Sequence, residues 1–106
     1  MKKFIVMLIF SLLFSNKNIT KEVISINQNS NVEIYSALFW GPCKEAKKLL
    51  QSRGIDYTTK MVTFSRKNTK ELIKKTGGKS SLPQIFVDDN HFGGLSELKS
   101  YFKQGG

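Results

Sequence analysis

From residue 32 onward, the apolar positions of the chain switch repeatedly between a period of two and a period of three to four. Val32-Glu33-Ile34-Tyr35 reads as a short strand of β-branched and aromatic residues. In Pro42 to Arg53 (PCKEAKKLLQSR), Ala46, Leu49 and Leu50 form one apolar stripe between lysines, which predicts a helix. Pro42 sits in its first turn, where a missing N–H costs nothing, and Gly54 stops it. Tyr57 to Phe64 carries a second strand, and Asn68 to Thr76 (NTKELIKKT) a second helix ended by Gly77-Gly78. Gln84 to Val87 (QIFV) is a third strand, directly after Pro83. Asp88-Asp89-Asn90 has turn chemistry, and His91-Phe92 is a short returning strand. Ser96 to Phe102 is a last helix, with Ser96 as N-cap and Leu98 and Phe102 on one face.

The order β-α-β-α-β-β-α predicts an α/β fold. A parallel first pair joined by a crossover helix, then an antiparallel hairpin, makes a four-stranded mixed sheet with three helices on its two faces. That is a thioredoxin-like sandwich, expected over residues 32–106. Ahead of it, residues 16–31 (NKNITKEVISINQNSN) are polar, interrupted only by Val23, Ile24 and Ile26, and read as a linker with at most one short ordered piece.

The first fifteen residues follow another pattern. A basic start, Met1-Lys2-Lys3, precedes an apolar run from Phe4 to Phe14 broken only by Ser11. A membrane span needs ~20 apolar residues, so no stable span is expected. A signal-peptide core of ~7–15 residues after a basic start fits, and Ser15 suits the last position before cleavage, although Leu13 is not the usual small partner. Residues 1–15 are therefore expected to be a signal peptide, and the protein to be exported to a periplasm or secreted. The alternatives are an uncleaved N-terminus that tethers the chain to a membrane, and a buried strand or helix.

Composition narrows the chemistry. The chain has 106 residues, enough for one domain, and 40% of them are hydrophobic, which excludes a disordered tail protein. One cysteine excludes an internal disulfide scaffold and a four-thiolate zinc site. With one histidine besides, no protein-only metal cage is expected. The net charge of +9 suits polyanions, anionic membranes or small acidic ligands. The lysines are scattered over predicted helices, however, with no aromatics interleaved on a sheet face, so nucleic acid is not an expected partner.

Three segments then carry a resemblance. VEIYSALFWGPCKEAKKLL (residues 32–50) resembles the redox-motif segment of glutaredoxins. Leu82-Pro83-Gln84-Ile85-Phe86-Val87 resembles their cis-proline strand, and Asn90-His91-Phe92-Gly93-Gly94 their hairpin and glycine pair. The resemblance implies glutathione-linked thiol–disulfide exchange, with glutathione as co-substrate or ligand and no bound cofactor. Its expected partners are glutathione or a thiol-containing protein, and the chain is expected to be a monomer.

One departure limits the carry-over. The family motif is Cys-x-x-Cys; here Cys43 matches the second, resolving position, and Trp40 stands at the first. In the family, the first thiol sits at the helix N-terminus, where the dipole and backbone N–H groups stabilise the thiolate that attacks a disulfide. An indole cannot do this, so exchange is expected to be impaired, the alternative being a non-catalytic module that binds glutathione or a thiol peptide. Cys43 has Lys44 and Lys47 close in sequence, which favours reactivity, but its position normally faces inward. It reads as structural, against a slow nucleophile or an intermolecular disulfide. The resemblance places a glutathione cleft at Trp40, Leu82, Pro83, Gly94, Leu95 and Ser96, with Pro83 cis and the N–H groups of Leu95 and Ser96 toward the γ-glutamyl carboxylate. Ala37 replaces a frequent lysine, for which Lys79 or Lys44 would compensate. His91 reads as a polar residue of an exposed hairpin, and Trp40 as a lid or a peptide contact. A third reading is a basic adaptor for an anionic surface.

Overall fold

The computed structural model describes residues 24–105. The expected signal peptide and the first half of the linker lie outside those residues. β1 (Val32–Ser36), α1 (Gly41–Ser52), β2 (Thr58–Met61), α2 (Arg66–Thr76), β3 (Gln84–Val87), β4 (Asn90–Gly93) and α3 (Leu95–Lys103) follow one another in the predicted order. The sheet order is β2-β1-β3-β4, with β1 parallel to β2 and the other two pairs antiparallel. This is the mixed, four-stranded thioredoxin-like sandwich.

Alternation along the strands sorts the core. Val32 and Ile34 lie opposite Val87 and Ile85 in register, and Ala46, Leu50, Leu98 and Phe102 of α1 and α3 cover that face. Fully burying each of these side chains other than Ala46 is worth about 1.5–3 kcal/mol. Tyr35 and Phe86 belong to a second cluster with Leu72 of α2. The core also reaches back before Val32. Ile26 is buried in the first cluster, and its N–H donates to the Tyr101 hydroxyl at 2.9 Å.

Several boundaries differ from the sequence reading for local reasons. α2 begins at Arg66 rather than Asn68, because Ser65 Oγ accepts the Asn68 N–H at 3.1 Å and caps the helix two residues earlier. β2 ends at Met61 rather than Phe64: the chain turns there, and Phe64 sits in the left-handed region at φ 64°. α3 is capped by Gly94, not Ser96; the Glu97 carboxylate reaches back to the Gly94 N–H at 2.7 Å. Asp88 and Asp89 both have positive φ, as a two-residue hairpin turn requires, so β4 starts at Asn90.

Between β1, β2 and α2 lies a polar cluster. The Tyr35 hydroxyl and Lys60 Nζ both donate to Glu71 Oε1 at 2.7 Å, and Lys75 Nζ lies 3.4 Å from Glu33 Oε1. Burial, and then the Glu71 carboxylate, push the Tyr35 phenol well up. The Lys60 and Tyr35 donors hold the Glu71 carboxyl down at about 2, from an ordinary 4.5. The unfolded chain therefore takes up this proton first as pH falls. Glu71's contribution is whole above pH ~4.5 and is lost as pH falls toward ~2. Urea unfolding as a function of pH should show that slope. Glu71→Ala should remove it and cost about 2 kcal/mol at neutral pH, since two donors lose a charged acceptor. An unchanged acid slope in Glu71→Ala would place the acid sensitivity elsewhere.

Candidate functional site

β1 finishes, and β3 begins, at the same end of the sheet, because Tyr35 pairs with Gln84. The loops after β1 and before β3 therefore meet there, as do the starts of α1 and α3. The Leu82–Pro83 peptide bond is cis. Between these pieces lies a groove of about 440 Å³, lined among others by Pro42, Lys79, Leu82, Pro83, Gln84, His91 and Gly93 to Glu97. Leu82, Pro83, Gly94, Leu95 and Ser96 of the sequence-derived site are thus brought together.

The glycine pair has a steric cause. Gly93 has φ +135°, and a Cβ there would come within 2.6 Å of Glu97 Cγ. A Cβ on Gly94 would meet the Pro83 carbonyl oxygen at 3.0 Å. The start of α3 is consequently pressed against the Leu82–Pro83 turn, with little room for side chains between them. Glu97 accepts the Gly94 N–H, which holds its carboxyl below the usual range. The N–H groups of Leu95 and Ser96 belong to the first turn and have no intrahelical partner.

A polar chain runs along the groove wall. His91 Nε2 lies 2.6 Å from Gln84 Oε1, and Gln84 Nε2 donates to Ser81 Oγ at 3.0 Å. With Gln84 so oriented, His91 donates through Nε2–H. Burial, and then the Lys79 cation, push the His91 imidazole below its ordinary range, which favours the neutral ring. Its ring stacks on Phe86 at 5.0 Å between centroids. His91 is therefore a half-buried, engaged residue rather than the exposed hairpin residue read from sequence. Of the two lysines offered in place of Ala37, Lys79 lines the groove and Lys44 does not.

Trp40 and Cys43 take different places. Trp40 is the N-cap of α1, with an extended backbone, and its carbonyl accepts the N–H groups of Cys43 (3.1 Å) and Lys44 (3.2 Å). Its half-exposed indole donates from Nε1 to the Leu82 carbonyl at 3.0 Å. Cys43 is a free thiol, 1% exposed, in the first turn of α1, and does not line the groove. Among the described residues, no three His, Cys, Asp or Glu side chains are grouped to hold a metal ion.

Sequence reasoning missed Ser81, Gln84 and Glu97. Glu97 stands three residues after its cap, the spacing of a capping box, but a glycine cap hides the pattern. Gln84 opens an otherwise apolar strand, and its buried amide was a signal that a polar partner must lie nearby.

Known proteins are similar to this chain in sequence and in fold. Residues 32–92 match the family model described as Glutaredoxin. The chain is 35% identical over 77 residues to glutaredoxin 3 of Escherichia coli K12, covering 73% of this chain and 92% of that one. It is 40% identical over 73 residues to glutaredoxin 1 of Rickettsia prowazekii, covering 68% and 77%. Among solved structures, the glutaredoxin of Brucella melitensis superposes with a TM-score of 0.62 at 25% identity, over 76% of this chain and 87% of that one. The buckwheat glutaredoxin–glutathione complex superposes at 0.63 and 22% identity, over 74% and 73%, a likeness of fold.

Proposed function

The chain belongs to the glutaredoxin family, proteins of glutathione-linked thiol–disulfide exchange, and we propose that it keeps the family's thiol-peptide cleft while exchange is impaired by Trp40. The observation that carries this reading is the placement of Trp40: an indole at the N-cap of α1, with the thiol of Cys43 buried one turn further in. In this reading, glutathione lies along Leu82 and Pro83, with its γ-glutamyl carboxylate toward the Leu95 and Ser96 N–H groups and Gly94 beneath it. Lys79 is the cation on the groove wall for a second carboxylate. The relative solved with glutathione supports the choice of ligand.

Trp40 also weakens the site it borders. A ligand that uses the Leu82 carbonyl must first displace the indole N–H. Glutathione binding is therefore expected in the millimolar range, about 4 kcal/mol. Titration followed by amide chemical shifts should move Trp40, Leu82, Leu95 and Ser96. Trp40→Phe, which frees the carbonyl, should tighten binding about fivefold, the worth of one ordinary hydrogen bond. Shifts confined to other residues would mean that the groove does not take the tripeptide.

We also propose that the protein is exported, with residues 1–15 removed and residues 16–31 leading into the glutaredoxin domain of 32–106, onto whose core Ile26 packs. The basic start and short apolar run support this. Intact-mass measurement of protein recovered from cells should find a chain beginning near Asn16; a full-length cytosolic chain would sink the idea.

A further inference from the structure

β1, β2 and β4 run in one direction and β3 against them, so α1, α2 and α3 all start at the end of the sheet where β1 finishes. Three positive helix ends converge there. Lys44, Arg66 and Lys67 are exposed at the openings of α1 and α2, and neither helix has an acid in its first turn. Glu97, the acid that opens α3, is engaged by the Gly94 N–H. Glu45, exposed one residue after Lys44, is paired with Lys99 of α3 at 2.9 Å, and the exposed carboxylates Asp56, Asp88 and Asp89 lie at the opposite end of the sheet.

The same end gathers apolar surface. Of the five exposed large hydrophobic residues among those described, Leu38, Phe39, Trp40 and Phe64 are here, on two loops joined by the Leu38 N–H donating to Thr63 Oγ1 at 3.0 Å. Phe39 is 89% and Phe64 96% exposed. Both hold left-handed backbone, φ 57° and 64°, which a bulky L-residue rarely adopts and which clusters at working sites. Two strained loop tips thus present phenyl rings to solvent beside a tryptophan and three cations.

We propose that this end of the molecule docks onto the headgroup layer of an anionic lipid bilayer. Phe39 and Phe64 are the inserting tips, and Lys44, Arg66 and Lys67 meet the lipid phosphates. Protruding aromatic and aliphatic side chains, an interfacial tryptophan and cations that outnumber the unpaired carboxylates beside them are what a headgroup layer accommodates. Docked so, the groove opens toward the membrane surface.

The chain has one tryptophan, so its emission reports this end alone. Full-length protein should be mixed with vesicles of phosphatidylcholine plus phosphatidylglycerol, or of phosphatidylcholine only. With the anionic vesicles, Trp40 emission should shift to the blue and be quenched by brominated lipid; with the neutral vesicles it should do neither. Asparagine tolerates left-handed backbone, so Phe39→Asn with Phe64→Asn should fold, and should weaken anionic-vesicle binding about tenfold per ring. Arg66→Gln should weaken it about fivefold. Sedimentation with vesicles while Trp40 stays unquenched would mean that residues 1–15 alone hold the membrane, and would overturn the proposal. So would undiminished quenching in the double variant, or a Trp40 response to poly-glutamate and not to anionic vesicles, which would favour a protein partner.

Discussion

Trp40→Cys is expected to raise reduction of a glutathione mixed disulfide by roughly 10³-fold or more over the wild-type chain, because it supplies a nucleophile rather than tuning one. The position is the N-cap of α1, whose carbonyl already receives two N–H groups of the first turn. A thiolate there gains the helix dipole and backbone donors. It would attack the glutathionyl sulfur of the substrate, breaking the S–S bond and releasing the substrate thiolate, which takes a proton from water. The protein–glutathione disulfide is then opened by a second glutathione thiolate, giving oxidised glutathione and the free enzyme. The substitution also removes the indole from the Leu82 carbonyl, so the cleft opens at the same time. Turnover of both proteins under identical glutathione is the decisive measurement. Cys43→Ser should leave the wild type unchanged and leave Trp40→Cys working as a monothiol enzyme. A Trp40→Cys protein that folds and stays inactive would mean that the cleft has been lost with the thiol.

The sequence discloses the sheet and helices for a simple reason: most of their apolar positions answer to burial on one face. QIFV and the Ala46-Leu49-Leu50 stripe show their period because β3 is buried throughout and α1 buries one side. The end that bears the site is legible only by likeness to known motifs. Leu82 and Gly94 present backbone groups there, which composition and periodicity do not encode. Phe64 misled the reading of β2 because it is apolar yet 96% exposed, displayed on a turn rather than packed. His91 misled in the opposite sense: its partner Gln84 is seven residues away, across a hairpin whose register includes a bulge at Ile85–Phe86. Ile26 belongs to the short apolar interruption of the polar stretch, which shows that a piece could be ordered but is too brief to show which face it would bury.

Cys43 is the other place where a large effect is expected. The residue is 1% exposed, and α1 begins beside it with Pro42 in the first turn and the Trp40 indole fixed to Leu82. A thiol reagent must wait for this turn to open. If opening requires ~4 kcal/mol, within the range of local unfolding, native Cys43 should react roughly 10³-fold more slowly than the same thiol in urea. Trp40→Phe keeps an aromatic ring but loses the indole donor, and should speed labelling about fivefold. Labelling with a chromogenic disulfide, native against unfolded, reads both numbers without any enzymatic assay. A native rate within about tenfold of the unfolded one would mean that opening costs little. Cys43 would then be an accessible thiol beside a groove built for thiol peptides, and the working nucleophile of the wild-type chain.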